Sequence, residues 1–469
     1  MEVTKNKRLL MAFYGDDFTG STDALEFLSR SGIKTVLFIE TPSAAQLARY
    51  PELQAIGIAG MSRTMSPVEM EVELQPAFKA LAGLNPRHVH YKVCSTFDSS
   101  PAIGSIGKAI DIGAAVFNTK TVPLLVAAPI LGRYCLFGNL FARMGIGSQG
   151  NIYRLDRHPS MSRHPVTPAE ESDLRLHLGK QTTKNIGLFD ILALHQYQQE
   201  STALKLEGED IVLFDALQQE DLKSIGAIID GMATVGQTLF SAGSSGIEMA
   251  LGAHWQENGT LNKEVLWEDS SQHGPVLIAS GSCSPVTAAQ IAYALKNGFT
   301  EIAIDTISLA ERASEEDLNA DSILITEAAE KYALQATELI RQGKHPLIHT
   351  SLGNDDQRVN ETDQLFREKN FGKVTTAQLY GSLLGMIARK TAERIKLKRV
   401  VIAGGDTSSY AARAMGIAAV EMIAPLSPGA PVCRADAPGS AIDQLELVFK
   451  GGQVGKEDFF NNNLIATKI

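Results

Sequence analysis

The stretch Leu9–Gly32, LLMAFYGDDFTGSTDALEFLSRSG, reads as strand, turn and helix in succession. Leu9–Tyr14 is a short apolar run. Gly15-Asp16-Asp17 breaks it, and Ser21–Ser31 then carries Ala24, Leu25 and Leu28 at helical spacing until Gly32 closes the helix. Outward from here the unit repeats. Strands are predicted at Thr35–Ile39, Ile56–Ala59, His88–Val93 and Leu124–Ala128; alternation resumes at Gly187 and runs through Ile211–Asp215 and Thr238–Ala242. Strands separated by helices predict an open parallel sheet with right-handed crossovers, the α/β class. Residues 145–163, polar and without a period, read as a long loop near a site. Residues 253–273 are polar and aperiodic and read as a linker anchored by Trp255 and Trp267. A second block follows, with strands at Pro275–Ser280, Glu301–Asp305, Pro346–Thr350 and Arg399–Ala403. The expected fold is therefore α/β in two domains, residues 1–252 and 274–469, each a mostly parallel sheet flanked by helices.

Composition narrows the function. The 469 residues carry 43 Lys plus Arg against 53 Asp plus Glu, a net charge of −10, which argues against nucleic acid as a partner. Apolar residues at 44% and charged residues at 20% are ordinary for a globular chain. Cys94, Cys135, Cys283 and Cys433 lie far apart with no C-x-x-C pair, so neither a disulfide framework nor a zinc ribbon is expected. The run LLMAFY is too short for a signal peptide, and no stretch nears the roughly 20 apolar residues of a membrane span. These features predict a soluble, reduced, cytoplasmic protein with no membrane partner.

Ligands of open α/β sheets sit beyond the carboxyl ends of the strands, so the strand-to-helix junctions are where chemistry is sought. Four stand out. In Gly15-Asp16-Asp17-Phe18-Thr19-Gly20, helix capping accounts for one carboxylate but not two. The pair can orient a hydroxyl, accept its proton or hold hydrated Mg²⁺. In Gly281-Ser282-Cys283-Ser284-Pro285-Val286-Thr287, Pro285 suits the first helical position, and small residues admit a phosphate or ribose close to the backbone. A plain serine-capped helix explains the same residues. Gly404-Gly405-Asp406-Thr407-Ser408-Ser409 joins two glycines, an acid and three hydroxyls between a strand and a helix, which suits phosphates with their metal. Gly243-Ser244-Ser245-Gly246 serves either a site or tight packing.

Other patterns lack their context. Residues 145–150, GIGSQG, match G-x-G-x-x-G, but neither a strand precedes nor a helix follows, which disfavours a dinucleotide-dependent dehydrogenase. Gly104–Lys108 continues with alanine, so it is no P-loop. His88 and His90 alternate on a predicted strand without ligand partners and read as surface or core residues, and Cys94 as a small core residue. Arg63, Lys92 and Arg133 follow or end successive strands and together could converge on a carboxylate.

Five motifs in order then carry a resemblance: GDDFTG (15–20), YKVCSTFDS (91–99), GSCSPVT (281–287), GGDTSS (404–409) and Gly451-Gly452. The chain resembles the four-carbon acid sugar kinase family over nearly its whole length, nearest to the branch acting on 3-oxo-tetronates. The resemblance implies a sugar-acid domain followed by a nucleotide domain, with the active site in the cleft between them. Two segments depart from that branch. Asn139 stands where relatives often have histidine, and residues 154–168, RLDRHPSMSRHPVTP, are longer and richer in arginine. These departures bear on substrate identity and bring in a branch acting on the branched five-carbon acid 3-oxo-isoapionate.

The resemblance implies ATP-dependent phosphorylation of a hydroxyl on a small sugar acid. Asp17 or its neighbour Asp16 would be the base. Arg63, Lys92 and Arg133 would bind the carboxylate or adjacent oxygens, with Ser95 and Asp98 on hydroxyls. Ser282 and Ser284 would contact ATP. Gly404, Gly405, Asp406 and Thr407 would receive its phosphates, with Mg²⁺ held by Asp406 through water. Gly451 and Gly452 would let the backbone approach the nucleotide. A homodimer is the expected assembly. A different class, a nucleotide-sensing protein without turnover, would have no need of the aspartate pair.

Overall fold

The computed structural model describes residues 8–144, 150–164, 166–200, 208–262, 264–268, 274–371 and 373–464. The chain divides into two compact units at Leu266 and Trp267. The division lies inside the segment read as a linker, but that segment starts later than expected. Helix Gly246–Glu257 runs into it, and Trp255 is a buried residue of the first unit, its indole donating to Asp230 (3.1 Å).

In the first unit, β1 (Met11–Gly15), β2 (Thr35–Phe38), β3 (Ala55–Ala59), β4 (His88–Lys92) and β5 (Val122–Leu125) alternate with helices. Then β6 (Arg133–Leu136), β7 (Asn139–Arg143) and β8 (Ile152–Arg154) form a small antiparallel sheet. The expected long loop at 145–163 is thus part strand and part 3₁₀ turns at Leu155–Arg157 and Met161–Arg163. The G-x-G-x-x-G match at 145–150 lies mostly outside the described residues. β9 (Ile186–Phe189), β10 (Ile211–Phe214) and β11 (Leu239–Gly243) complete the parallel sheet in the order β2-β3-β1-β4-β11-β5-β10-β9.

That order creates a switch point. The chain leaves β1 toward β2, then passes from β3 over β1 to β4, so right-handed crossovers place the two connecting helices on opposite faces. Helix Phe18–Arg30 accordingly packs with Gly246–Glu257, and helix Pro67–Gly83 packs with Ile106–Phe117. Register sets Gly15 beside both Ala59 and Lys92, and Lys92 beside Gly243, in one row at the carboxyl edge. Alternation along β4 sends Tyr91 to an aromatic cluster with Tyr14 and Phe78. His88 and His90 share the other face and are fully buried. Burial lowers the pKa of both.

The second unit holds β12 (Val276–Ser280), β13 (Phe299–Ala303), β14 (His345–His349), β15 (Arg399–Ala403), β16 (Ala419–Ser427), β17 (Ala430–Asp436) and β18 (Glu446–Lys450). Their order is β13-β14-β12-β15-β18-β17-β16. The strands from β13 to β18 run parallel, and β17 and β16 add an antiparallel hairpin. β13 ends at Ala303 rather than Asp305, because the Asp305 side chain caps the next helix by accepting from the Ser308 amide (3.1 Å). Among the described residues no helix is long and apolar enough to cross a membrane.

Candidate active site

The first unit gathers charge at the carboxyl edge of β1, β3 and β4. Asp17 caps helix Phe18–Arg30, accepting from the Gly20 amide (2.8 Å) and the Thr19 hydroxyl (2.8 Å). Capping is therefore part of its role. Arg63 stands in a 3₁₀ turn, Ser62–Thr64, just beyond β3, and its amide donates to the Asp16 carbonyl (3.0 Å). Its guanidinium grips Asp16 with two bonds, Nε to Oδ2 (3.1 Å) and Nη2 to Oδ1 (2.8 Å), and reaches Asp17 Oδ2 through Nη1 (2.9 Å). One cation thus serves two buried carboxylates, leaving the trio with a net negative charge. Burial raises the pKa of Asp16 against the opposing pull of Arg63. The two carboxylates hold the Arg63 guanidinium firmly charged despite burial.

Lys92 ends β4 and lies almost wholly buried. Its Nζ donates to the Val93 carbonyl (3.0 Å) and lies 3.5 Å from Asp23 Oδ2. The Ser245 hydroxyl also bonds Asp23 Oδ2. The ammonium borders the first site closely: a Cβ at Gly20 would meet Asp17 Oδ1 at 2.4 Å and Lys92 Nζ at 3.3 Å. Below it, Glu248 in the first turn of helix Gly246–Glu257 is fully buried, 3.7 Å from His90 Nε2. Burial pushes the Glu248 carboxyl up to about 8, so the acid is neutral beside Lys92 at pH 7. Asp23 and Glu248 were missed by sequence reasoning, whereas Ser245 belongs to the junction read as either a site or tight packing. The available signal was an acid inside the apolar helix that follows Gly243-Ser244-Ser245-Gly246. That junction serves packing as well: a Cβ at Gly243 would meet the Leu125 carbonyl at 2.0 Å, and one at Gly246 the Ala127 carbonyl at 2.2 Å.

Ser95 is buried beyond β4, and Asp98 follows it into a small pocket lined also by Thr96, Ser99, Thr167, Glu171 and His177. Asp98 Oδ1 is buried with no hydrogen-bond partner, which marks it as an acceptor for a ligand or water. His177 Nε2 lies 2.9 Å from the Ser99 hydroxyl. Arg133 makes no bond to the Asp16–Arg63 cluster but lies near enough to Cys94, Asp98 and Asp23 to feel their charge. Its Nη1 donates to the carbonyls of Leu131 (3.1 Å), Gly132 (3.3 Å) and Arg143 (3.1 Å), which fixes the entry to β6, while Nε has no partner.

In the second unit, register places Ser280, Ala403 and Lys450 in one row, so the loops after β12, β15 and β18 are neighbours. Ser284 caps helix Pro285–Lys296, which begins at Pro285, by accepting from the Thr287 amide (3.1 Å). Its hydroxyl donates to the Gly452 carbonyl, as does that of Thr287 (3.1 Å). Gly404 has φ +131°, and a Cβ there would meet Thr407 Oγ1 at 2.7 Å. A Cβ at Gly452 would lie 3.1 Å from Ser282 Oγ. Gly451 opens the turn, its carbonyl accepting from the Val454 amide (3.2 Å). Helix Gly405–Ala414 starts here with Gly405, exposed Asp406 and buried Thr407 in its first turn. Ser282, Ser284, Gly404, Gly405, Asp406, Thr407, Gly451 and Gly452 thus stand at one sheet edge, where helix amides and small residues suit an anion. Among the described residues no group of three or more His, Cys, Asp or Glu could hold a metal ion on its own.

Lys450, which closes β18, is a further residue sequence reasoning missed. Its Nζ is fully buried and donates to Thr287 Oγ1 (2.9 Å), with the rings of Phe459 and Phe460 at 5.7 and 5.8 Å. The signal was a lysine ending an apolar run directly before two glycines.

A carboxylate pair at the sheet edge of the first unit, and small residues with helix amides at that of the second, suit a kinase of small molecules. Known proteins agree. Residues 11–251 match the sugar-binding N-terminal domain and residues 277–460 the nucleotide-binding C-terminal domain. The chain is 42% identical to a 3-oxo-isoapionate kinase of Paraburkholderia graminis, covering 96% of this chain and 93% of that protein. It is 27% identical to a 3-oxo-tetronate kinase of Cupriavidus necator, covering 97% of each. A solved structure from Salmonella typhimurium shares the fold with a TM-score of 0.72 at 23% identity, covering 96% of this chain and 98% of that one. The chain belongs to the four-carbon acid sugar kinase family.

Proposed function

We propose that this protein transfers the γ-phosphoryl group of ATP to a hydroxyl of a branched five-carbon 3-oxo acid of the 3-oxo-isoapionate kind, ahead of four-carbon 3-oxo-tetronates, threonate or erythronate. The observation that carries the chemistry is the Asp16–Asp17–Arg63 cluster at the switch point. Asp17 is the more open carboxylate, with its side chain 10% exposed against 3% for Asp16, and it takes the hydroxyl proton. Arg63 keeps the pair in place, and Lys92 holds positive charge beside it. The acid's oxygens fall to Ser95, Asp98 and Arg133. Two observations favour the branched acid. Identity is 42% to the isoapionate enzyme against 27% to the tetronate enzyme. Leu155 and Thr167, from the segment that departs from the tetronate branch, line the pocket around Asp98.

The second unit holds ATP at Ser282, Ser284, Gly404–Thr407 and Gly451–Gly452. Asp406, exposed beside that cradle, suits Mg²⁺, which takes few protein carboxylates and keeps waters and phosphates. When bound, the ion supplies neutralisation of phosphate charge. The proposed assembly is a homodimer, to be read by light scattering. The proposed compartment is the cytoplasm, where the four cysteines, none of them in a disulfide, stay reduced.

The test is ADP release with Mg²⁺-ATP and a panel of these acids. The highest kcat/KM is expected with 3-oxo-isoapionate. Preference for a four-carbon acid would overturn the substrate, and silence across the panel the phosphotransfer itself.

A further inference from the structure

Lys450 is a lysine in an unusual place. It ends β18 with no exposed surface, and no carboxylate pairs with it among the described residues. Its Nζ meets one hydroxyl, Thr287 Oγ1 at 2.9 Å, and two aromatic rings. Yet it touches every loop of the anion cradle. Its carbonyl accepts from the Gly404 amide (2.9 Å), the next residues are Gly451 and Gly452, and Thr287 in turn donates to the Gly452 carbonyl (3.1 Å). A buried ammonium without a counter-ion is costly, and a polyphosphate brings several negative charges to this edge.

We propose that Lys450 is a positioning residue for the nucleotide, a buried amine that takes one proton from solvent as the polyphosphate arrives and braces the cradle from behind through Thr287. This rests on the reading that the edge binds ATP. Five elements pack about Lys450: helices Pro285–Lys296, Gly405–Ala414 and Phe459–Asn462 and strands β15 and β17. Their charged residues Lys296, Arg399, Asp406, Arg413, Arg434 and Asp436, with Glu446 on β18 itself, contribute no resolved pull. Burial alone brings the amine down to about 7. At pH 8 it is therefore mostly neutral without ligand. A nearby polyphosphate restores its charge. At pH 6 it is already charged, and binding should draw little further proton.

The experiment is calorimetric titration of Mg²⁺-ATP into the full chain at pH 6 and pH 8, in Tris and in HEPES, which differ in ionisation enthalpy. At pH 8 the wild type should take up about 0.9 proton per nucleotide more than K450M, and at pH 6 about 0.1 more. The wild-type Kd should climb toward about tenfold per pH unit above pH 7. K450M should lack that climb. A wild-type excess below about 0.4 proton at pH 8 would overturn the proposal. Should K450M not fold, the wild type decides alone: equal uptake at the two pH values would overturn it. A wild type that gives no Mg²⁺-ATP binding at all would overturn the nucleotide reading of this edge, and the proposal with it; binding without the proton signature overturns the role of Lys450 only.

Discussion

At the scale of single residues, the site in the first unit is a problem of buried charge. Asp17→Asn keeps a good helix cap but cannot accept a proton. It should lower kcat by about 10²–10⁴-fold in protein that is still folded. A loss under about tenfold in the ADP-release assay would remove Asp17 from the base role. Glu248 gives a pH prediction. Its folded pKa of about 8 lies above the ordinary glutamate value, so the folded state keeps a proton that the unfolded chain loses as pH rises. The stability this confers is complete in acid and disappears as pH climbs through 8. Glu248→Gln preserves the neutral shape and has nothing to ionise. Its melting temperature should gain on the wild type between pH 5 and pH 9, by about 2–4 °C for each kcal/mol recovered. A gain that shrinks with pH would show that Glu248 is charged in the fold. The aspartates were legible because two acids after an apolar run exceed what capping needs. Asp23, Glu248 and Lys450 were not, since each gains its meaning from partners far along the chain, as Glu248 does from His90 and Lys450 from Thr287.

At the scale of elements, strands flanked by helices were readable wherever an all-apolar run met a glycine or an acid. Arg399–Ala403 matches β15 end to end. The failures have a common cause. β6, β7 and β8 belong to a small sheet with half-exposed faces, and β16 and β17 form a hairpin containing Pro425 and Pro431, so neither shows the unbroken apolar signature of a central strand. The junction of β15 with helix Gly405–Ala414 rests on the backbone of Gly404. Gly404→Ala forces a side chain into φ +131° and against Thr407. It should weaken Mg²⁺-ATP binding by about tenfold or more, equivalent to about 1.4 kcal/mol, while leaving ligand binding by the first unit intact. Unchanged affinity in an equilibrium titration would mean that this turn does not receive the nucleotide.

At the scale of the whole molecule, the division at Leu266 separates two chemistries as well as two cores. Residues 267–469 contain every residue of the proposed anion cradle, with Ser282, Gly404, Thr407 and Gly452 meeting through contacts internal to that unit. Expressed alone, residues 267–469 should fold and be stabilised by Mg²⁺-ATP, by about 2.7 kcal/mol at a hundredfold excess over Kd. No thermal shift from a folded fragment would show that the cradle is incomplete. Sequence reasoning offered residues 253–273 as a region and not a single residue, and the buried helix Gly246–Glu257 carries Trp255 and polar residues alike into that stretch.

The forked grip of Arg63 on two neighbouring acids has a consequence for how such proteins diversify. Losing the arginine strands a pair of anions in a dry corner, and losing either acid strips a clasp from the arginine. Across descendants of a common ancestor these three positions should therefore drift in concert, replaced together or kept together, while the pocket around Asp98 is at liberty to change with diet.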